Sequence, residues 1–248
     1  MNKITGLAIS ALFVLGNTTA ALATCNDVHR GEFEAAVKAG VSETNGFGFG
    51  LPMWASMVDE TGKICHVFAT DGTKELSGID AGNSAWLGSR IISAQKANTA
   101  NAFSLDGLAL STGYIYATVV PNGSLYGLQH SNPVDASRAY RGNPVSYGRI
   151  NDPIKNQRLG GINVFGGGVA LYKNGVKIGA IGASGDTSCR DHTVAYRTRI
   201  ALGLNDQPND DGLTLVQRPI ALGQQPKCGV NDPPSSAFNS SPTDFGIR

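Results

Sequence analysis

The chain has 248 residues, 41% of them hydrophobic, and 20 basic against 19 acidic residues give a net charge of +1. So even a balance leaves no electrostatic footprint for nucleic acid or an anionic membrane surface. One domain of ordinary size accounts for the length, and no internal repeat is evident.

Residues 1–23 read as a secretory signal peptide. Lys3 precedes an apolar run that ends at Gly16, and Ala21-Leu22-Ala23 supplies an A-x-A cleavage site. The run is too short to cross a bilayer stably. Cleavage after Ala23 removes Lys3 and leaves 225 residues with 19 basic and 19 acidic groups, and it places the mature chain in the periplasm or outside the cell. Leu22–Cys25 is similar to a lipoprotein signal, but Thr24 is a poor residue before the cysteine, so lipidation of Cys25 is not expected. All four cysteines lie beyond the cut, and an even number in an exported protein points to disulfides. Of the three pairings, Cys25–Cys65 with Cys189–Cys228 is preferred. The first would anchor the N-terminal helix and the second would tie the tail to a later helix. The absence of C-x-x-C removes zinc-ribbon and thioredoxin-type readings.

A first helix is predicted from an Asn26/Asp27 cap to Gly40. Phe33, Ala36, Val37, Gly40 and Val41 form its apolar stripe, and His29 lies on the same face. A hairpin from Pro52 to Phe68 turns at Asp59–Gly62, and its second strand directs Ile64, His66 and Phe68 to one side. An Ala-rich helix covers Ser93–Ser104. Residues 114–165 are loop-rich, which marks a functional loop or an insertion. The tail, 205–248, holds six of the eleven prolines and reads as an ordered wrap or a flexible end.

The segment 166–185 is the most informative. Asn174-Gly175 supplies the two positive-φ residues of a type I′ turn, so two strands pair across it. A two-residue loop sets Lys173 against Val176, Leu171 against Ile178 and Val169 against Ala180 on an apolar face. The other face carries Tyr172 with Lys177, Ala170 with Gly179 and Gly168 with Ile181. Being nearly bare, it is read either as room for a flat ligand or a second subunit, or as relief of crowding in a twisted sheet. A helix follows, with Ser188 as its cap and Asp191 completing a capping box. Its stripe is Val194, Ala195, Thr198, Ala201 and Leu202. Asp191 is either a cap meeting the helix dipole or part of a site at that helix start.

Several motifs fail. Gly182–Asp186 lacks the last glycine of a nucleophile elbow. The glycine runs match neither a dinucleotide fingerprint nor a phosphate loop. The histidines (His29, His66, His130, His192) have no metal-ligand spacing.

Three blocks together resemble the GlcG/HbpS family. They are the strand pair Met53–Phe68, the run SAQKANTA at Ser93–Ala100, which is similar to the family's S-x-x-K-A-x-T-A helix, and GGVALYKNGVKIGAIGASG at Gly167–Gly185. Asp191 stands where the family has the aspartate of a Gln-Asp-Glu helix start. The departures are Val169-Ala170 in place of a small-Pro pair, and Lys63 where many members carry a histidine. The resemblance implies an α+β, profilin-like (GlcG-like) two-layer fold over 24–204, with helices on an antiparallel sheet of about five strands. It also implies self-assembly and haem or another tetrapyrrole as ligand.

An exported haem-binding protein is therefore expected. His192 and then His29 are the candidate axial ligands, and His66 and His130 follow. Arg190, Ser184, Gly185 and the free N–H groups near Asp186–Ser188 are the candidates for meeting propionates. An alternative is a metabolite binder or enzyme for a small organic acid or alcohol, with Lys96, Asp191 and His192 in a pocket between helix and sheet. Lys96 and Asp191 are both expected to begin helices that abut. A third reading is a non-catalytic oligomeric accessory protein that uses the bare sheet face. The sequence makes no claim on catalysis.

Overall fold

A computed structural model describes residues 25–71, 85–217 and 221–238. The expected signal peptide lies outside the described residues. Three long helices frame a four-stranded antiparallel sheet. They are α1 (Arg30–Glu43), α2 (Gly88–Phe103) and α3 (Ser188–Ala201). The strands are β1 (Trp54–Asp59), β2 (Ile64–Ala69), β3 (Gly168–Lys173) and β4 (Val176–Ser184), in the order β2-β1-β4-β3. Short β5 (Thr214–Val216) and β6 (Gln224–Pro226) form a separate parallel pair. The main sheet thus has four strands rather than five.

Both faces of the sheet are covered, so the layers number three, not two. Phe33 and Val37 of α1 and Val194 and Ala195 of α3 pack with Met57, Phe68, Leu171 and Ile181 on one face. Ile91, Ala94, Ala97 and Ala100 of α2 pack with Trp54, Val58, Val67 and Ala180 on the other. A sheet enclosed on both sides takes near-continuous apolar runs, and every residue of β1 and β2 is buried.

The bare face of the β3–β4 hairpin is occupied by α2, which closes it to a ligand or a second subunit. A Cβ on Gly168 would meet the Lys96 carbonyl oxygen at 2.4 Å, and one on Gly182 would meet that of Ser93 at 2.0 Å. The glycines admit a helix backbone made slim by alanines.

Bulges change two expected registers. The I′ turn forms, with Asn174 at φ 53° and Gly175 at 75°. Lys173 pairs Val176 and Tyr172 pairs Lys177, but Leu171 then pairs Gly179 and Val169 pairs Ile181. Ile178 is the extra residue, and Gly179 beside it, at φ 143°, stands where a side chain would be strained and would meet the Val58 carbonyl oxygen at 2.2 Å. A second shift lets Val58 face Ile64 while Met57 faces His66. Ile64 therefore joins the α2 face, away from Phe68.

Helix boundaries move as well. α1 begins after His29, whose N–H donates to Glu32 Oε2 at 2.9 Å, and His29 is exposed rather than on the apolar face. α2 begins five residues before Ser93, so Lys96 sits well inside it. The cap of α3 is Thr187, whose side chain accepts the Arg190 N–H, one residue ahead of Ser188.

Residues 104–167 contain only short helical turns between α2 and β3. Arg90 anchors them through a buried ion pair with Asp152 and a stack on Tyr147 at 3.6 Å. The tail is an ordered wrap over its described residues. Asp211 receives two hydrogen bonds from Arg199, at 2.9 and 2.7 Å, and Cys228 is bonded to Cys189. The other disulfide joins Cys25 to Cys65, so the preferred pairing is the one present. Because the tail covers its outer side, α3 is buried all around from Cys189 to Arg199, beyond the single stripe expected.

Candidate functional site

The chain's chemistry collects where β4 runs through Ser184-Gly185-Asp186 into α3. Ser184 is buried, and a Cβ on Gly185 would meet the Pro52 carbonyl oxygen at 2.5 Å. These two expected ligand contacts serve backbone packing instead. The N–H groups expected to be free are largely committed. Asp186 N donates to Asp191 Oδ1 at 3.0 Å, Thr187 N donates to Asp186 Oδ1, and Cys189 N donates to the Cys228 sulfur at 3.3 Å. Asp186 also accepts the N–H groups of Phe49 and Leu51, and these bonds outweigh burial to hold its carboxyl below the usual range.

Lys96 and Asp191 meet. Lys96 Nζ donates to Asp191 Oδ2 at 2.7 Å and to the Ala183 carbonyl at 3.2 Å, and the two residues are 0% and 1% exposed. The ammonium also lies 4.3 Å from the centre of the Phe165 ring. Burial pushes Asp191 up to about 6 against the pull of Lys96, and burial also lowers Lys96. Such a pair can hold or pass a proton near neutral pH, but it is enclosed.

The histidines do not gather. His192 is 0% exposed. Its Nδ1 accepts the Gly167 N–H at 3.2 Å, and its ring lies 5.9 Å from that of Tyr196. A planar ligand has no approach to it in this arrangement, which removes the basis for ranking it first. His66 Nε2 bonds the Val28 carbonyl at 2.8 Å and its ring stacks on Phe33. His29 and His130 are both exposed. The two acid–cysteine clusters, Cys25/Asp59/Cys65 and Cys189/Cys228/Asp232, have their sulfurs committed to disulfides.

Burial sets the acid response. It lowers His192 to about 3, while the unfolded chain protonates it near 6.5. The stabilisation from keeping it neutral is therefore full above 6.5 and is lost as pH falls toward 3. Asp191 has the opposite sign, since its raised carboxyl favours the fold at low pH and loses that contribution as pH rises through about 6. The histidine window is the wider. The two contributions nearly offset between pH 7 and pH 4, so the wild type is expected to lose only on the order of 1 kcal/mol, and His192→Gln, left with the Asp191 contribution alone, should reverse that slope and gain roughly 2 kcal/mol in urea unfolding. An unchanged slope would show that His192 does not carry it.

Three clefts among the described residues lie near the long helices. The first, about 600 Å³, runs between α1 and the end of α3 past Ala36, Ala39, Leu202 and Leu204. The second, about 460 Å³, lies between Tyr116 and Phe165 on one side and Thr187, Ser188 and Gln225–Cys228 on the other. The third, about 350 Å³, is lined by Lys38, Ser42, Asn45, Leu51, Asp71 and Arg190 among others. None is lined by a histidine. Phe165 borders both the second cleft and the Lys96 ammonium, so that cleft comes nearest to the predicted pair. The sequence reading missed Tyr116, Phe165 and Lys227, which sit in loop and tail. The one available signal was Phe165, directly before the glycine run at 166–168.

A family model described as "Haem degrading protein HbpS-like" matches residues 33–199. No curated protein shows a significant match. Among solved structures, Klebsiella pneumoniae protein ORFY is 24% identical, covers 70% of this chain and 86% of its own, and has a TM-score of 0.45. The PduOC haem complex is 21% identical, covers 70% and 94%, and has a TM-score of 0.46. A double mutant of Streptomyces reticuli HbpS is 14% identical, covers 80% and 99%, and has a TM-score of 0.42.

Proposed function

The chain belongs to the HbpS-like family, whose model spans residues 33–199, and from that membership we propose an exported haem-binding protein. The family match carries the reading. Two disulfides suit an oxidising compartment, and no helix among the described residues is long and apolar enough to cross a membrane. Export, cleavage after Ala23 and self-assembly belong to the same proposal.

The haem would sit in the second cleft. Its residues fit the group in kind, with the Phe165 and Tyr116 rings for the macrocycle, Pro226 as an apolar wall and exposed Lys227 for a propionate. Tyr116 offers a phenol oxygen, a known class of haem-iron ligand. The hydroxyls of Thr187 and Ser188 are engaged with Arg190 N and the Gln225 side chain. Bound haem would supply an iron centre, and the protein would orient it and shield one face. We propose binding without catalysis, because the Lys96–Asp191 pair is buried away from solvent behind Phe165.

Hemin titration of the oxidised 24–248 chain should saturate near one haem per chain with a sharp Soret band. Tyr116→Phe should shift that band and weaken binding about tenfold or more, a loss of about 1.4 kcal/mol. His192→Ala should leave the band in place. A weak band that never saturates would discard the reading. A band moved by His192→Ala alone would return the ligand to His192.

A further inference from the structure

Arg190 lines the third cleft, and one edge of its guanidinium is unused. Arg190 is 2% exposed. Its Nη1 is fully engaged, donating to Asp186 Oδ2 and to the Leu51 carbonyl, both at 2.9 Å. Its Nε is buried with no hydrogen-bond partner, and none of the described hydrogen bonds uses Nη2. Nε and Nη2 make up the side of a guanidinium that grips a carboxylate with two parallel bonds. A buried donor without a partner is uncommon in a folded protein and calls for an explanation.

The surroundings fix this edge and give it company. Asp186 holds the guanidinium plane from the far side, and three backbone N–H groups in turn hold Asp186. Around the opening stand the Lys38 ammonium, the Ser42 hydroxyl, the Asn45 amide and the Asp71 carboxylate, with Val41, Leu51 and Pro52 as apolar walls. Asp186 is saturated, so the free cationic edge of Arg190 and the Lys38 ammonium, which lies 5.4 Å from the centre of the Phe68 ring, outweigh Asp71 as partners for an anion. Asp71 would instead accept from a hydroxyl or ammonium on the same ligand.

We propose that this cleft binds a small organic acid, its carboxylate held in a two-point contact by Arg190 Nε and Nη2, with Lys38 and Asn45 at the rim. A guanidinium edge takes carboxylate or phosphate in two parallel bonds; Lys38 and Asp71 at the same opening favour a carboxylate that carries further polar groups. The third cleft shares no lining residue with the second, so this site stands independently of haem binding.

Calorimetric titration of the full mature chain with L-malate, acetate and inorganic phosphate tests it. Malate is expected to bind once per chain and more tightly than phosphate, with acetate weaker because it lacks a group for Asp71. Arg190→Lys keeps a positive charge but not the planar edge, and it should weaken malate by about tenfold or more. Because Arg190 is also a buried ion-pair partner, Lys38→Ala, an exposed change, is the second variant. It should weaken malate about threefold to tenfold with the circular dichroism spectrum unchanged. No saturable heat, or malate binding untouched by both substitutions, would overturn the site. Phosphate binding as tightly as malate would overturn the carboxylate assignment. Loss of malate binding in hemin-saturated protein would overturn its independence from haem.

Discussion

Asp191→Ala is expected to destabilise the protein by about 3–5 kcal/mol, the usual cost of leaving a buried charge without its partner. The carboxylate meets two needs. It neutralises Lys96, which is 0% exposed, and it accepts the Asp186 N–H at the entry to α3. Alanine leaves an ammonium with only the Ala183 carbonyl at 3.2 Å and the Phe165 ring, and it frees a buried backbone donor as well. Lys96 must then lose its proton or draw in water. The double variant Lys96→Met, Asp191→Ala removes the charge and keeps the apolar stem, so it should regain most of the loss and leave roughly the cost of one hydrogen bond, about 1–3 kcal/mol. Urea unfolding of wild type, both single variants and the double closes the cycle. If the double were no better than Asp191→Ala alone, the pair would not be coupled, and the penalty would belong to the turn at Asp186.

The Lys96–Asp191 contact was within reach of the sequence because both residues lie in runs whose element type is plain. The Ala-rich periodicity marks α2, and the glycine turn followed by Thr187 and Ser188 marks the start of α3. The disulfide pairing was within reach for the same reason, since each bridge ties a predicted helix or strand to a terminal segment. Less legible was what each glycine is for. Gly175, Gly179 and Gly182 look alike in a sequence. One sits in a turn, one holds a bulge, and one makes room for a helix backbone. The bulge at Ile178, next to Gly179, reset the register, and the room at Gly182 admitted α2 to the nearly bare face. The burial of His192 was not legible because it depends on distant chain. The Gly166–Gly167 backbone covers it on one side, and Gly113 and the tail at Leu213 approach it on the other. Residue type sets the worth of such contacts, but spacing along the chain does not show that they form. The pairs Arg90–Asp152 and Arg199–Asp211 were invisible for that reason, since a lone arginine on a helix reads as solvated.

Gly182→Ala should cost about 3 kcal/mol or more, at or beyond the top of the range for overpacking. The added methyl would lie 2.0 Å from the Ser93 carbonyl oxygen and 2.6 Å from the Ala97 nitrogen. Both are backbone atoms of α2, so no side chain can rotate away. Relief requires α2 to lift from the sheet, and α2 also carries Lys96, so the 2.7 Å contact with Asp191 should lengthen with it. Gly175→Ala provides the contrast. Gly175 has open space around it but φ 75°, and a side chain forced into that region costs roughly 1–2 kcal/mol. Urea midpoints for the two variants therefore separate a glycine kept for close approach from one kept for its backbone angle. If Gly182→Ala proved no worse than Gly175→Ala, α2 would not be seated on the sheet as tightly as these distances require. The buried lysine would then have room to reach water.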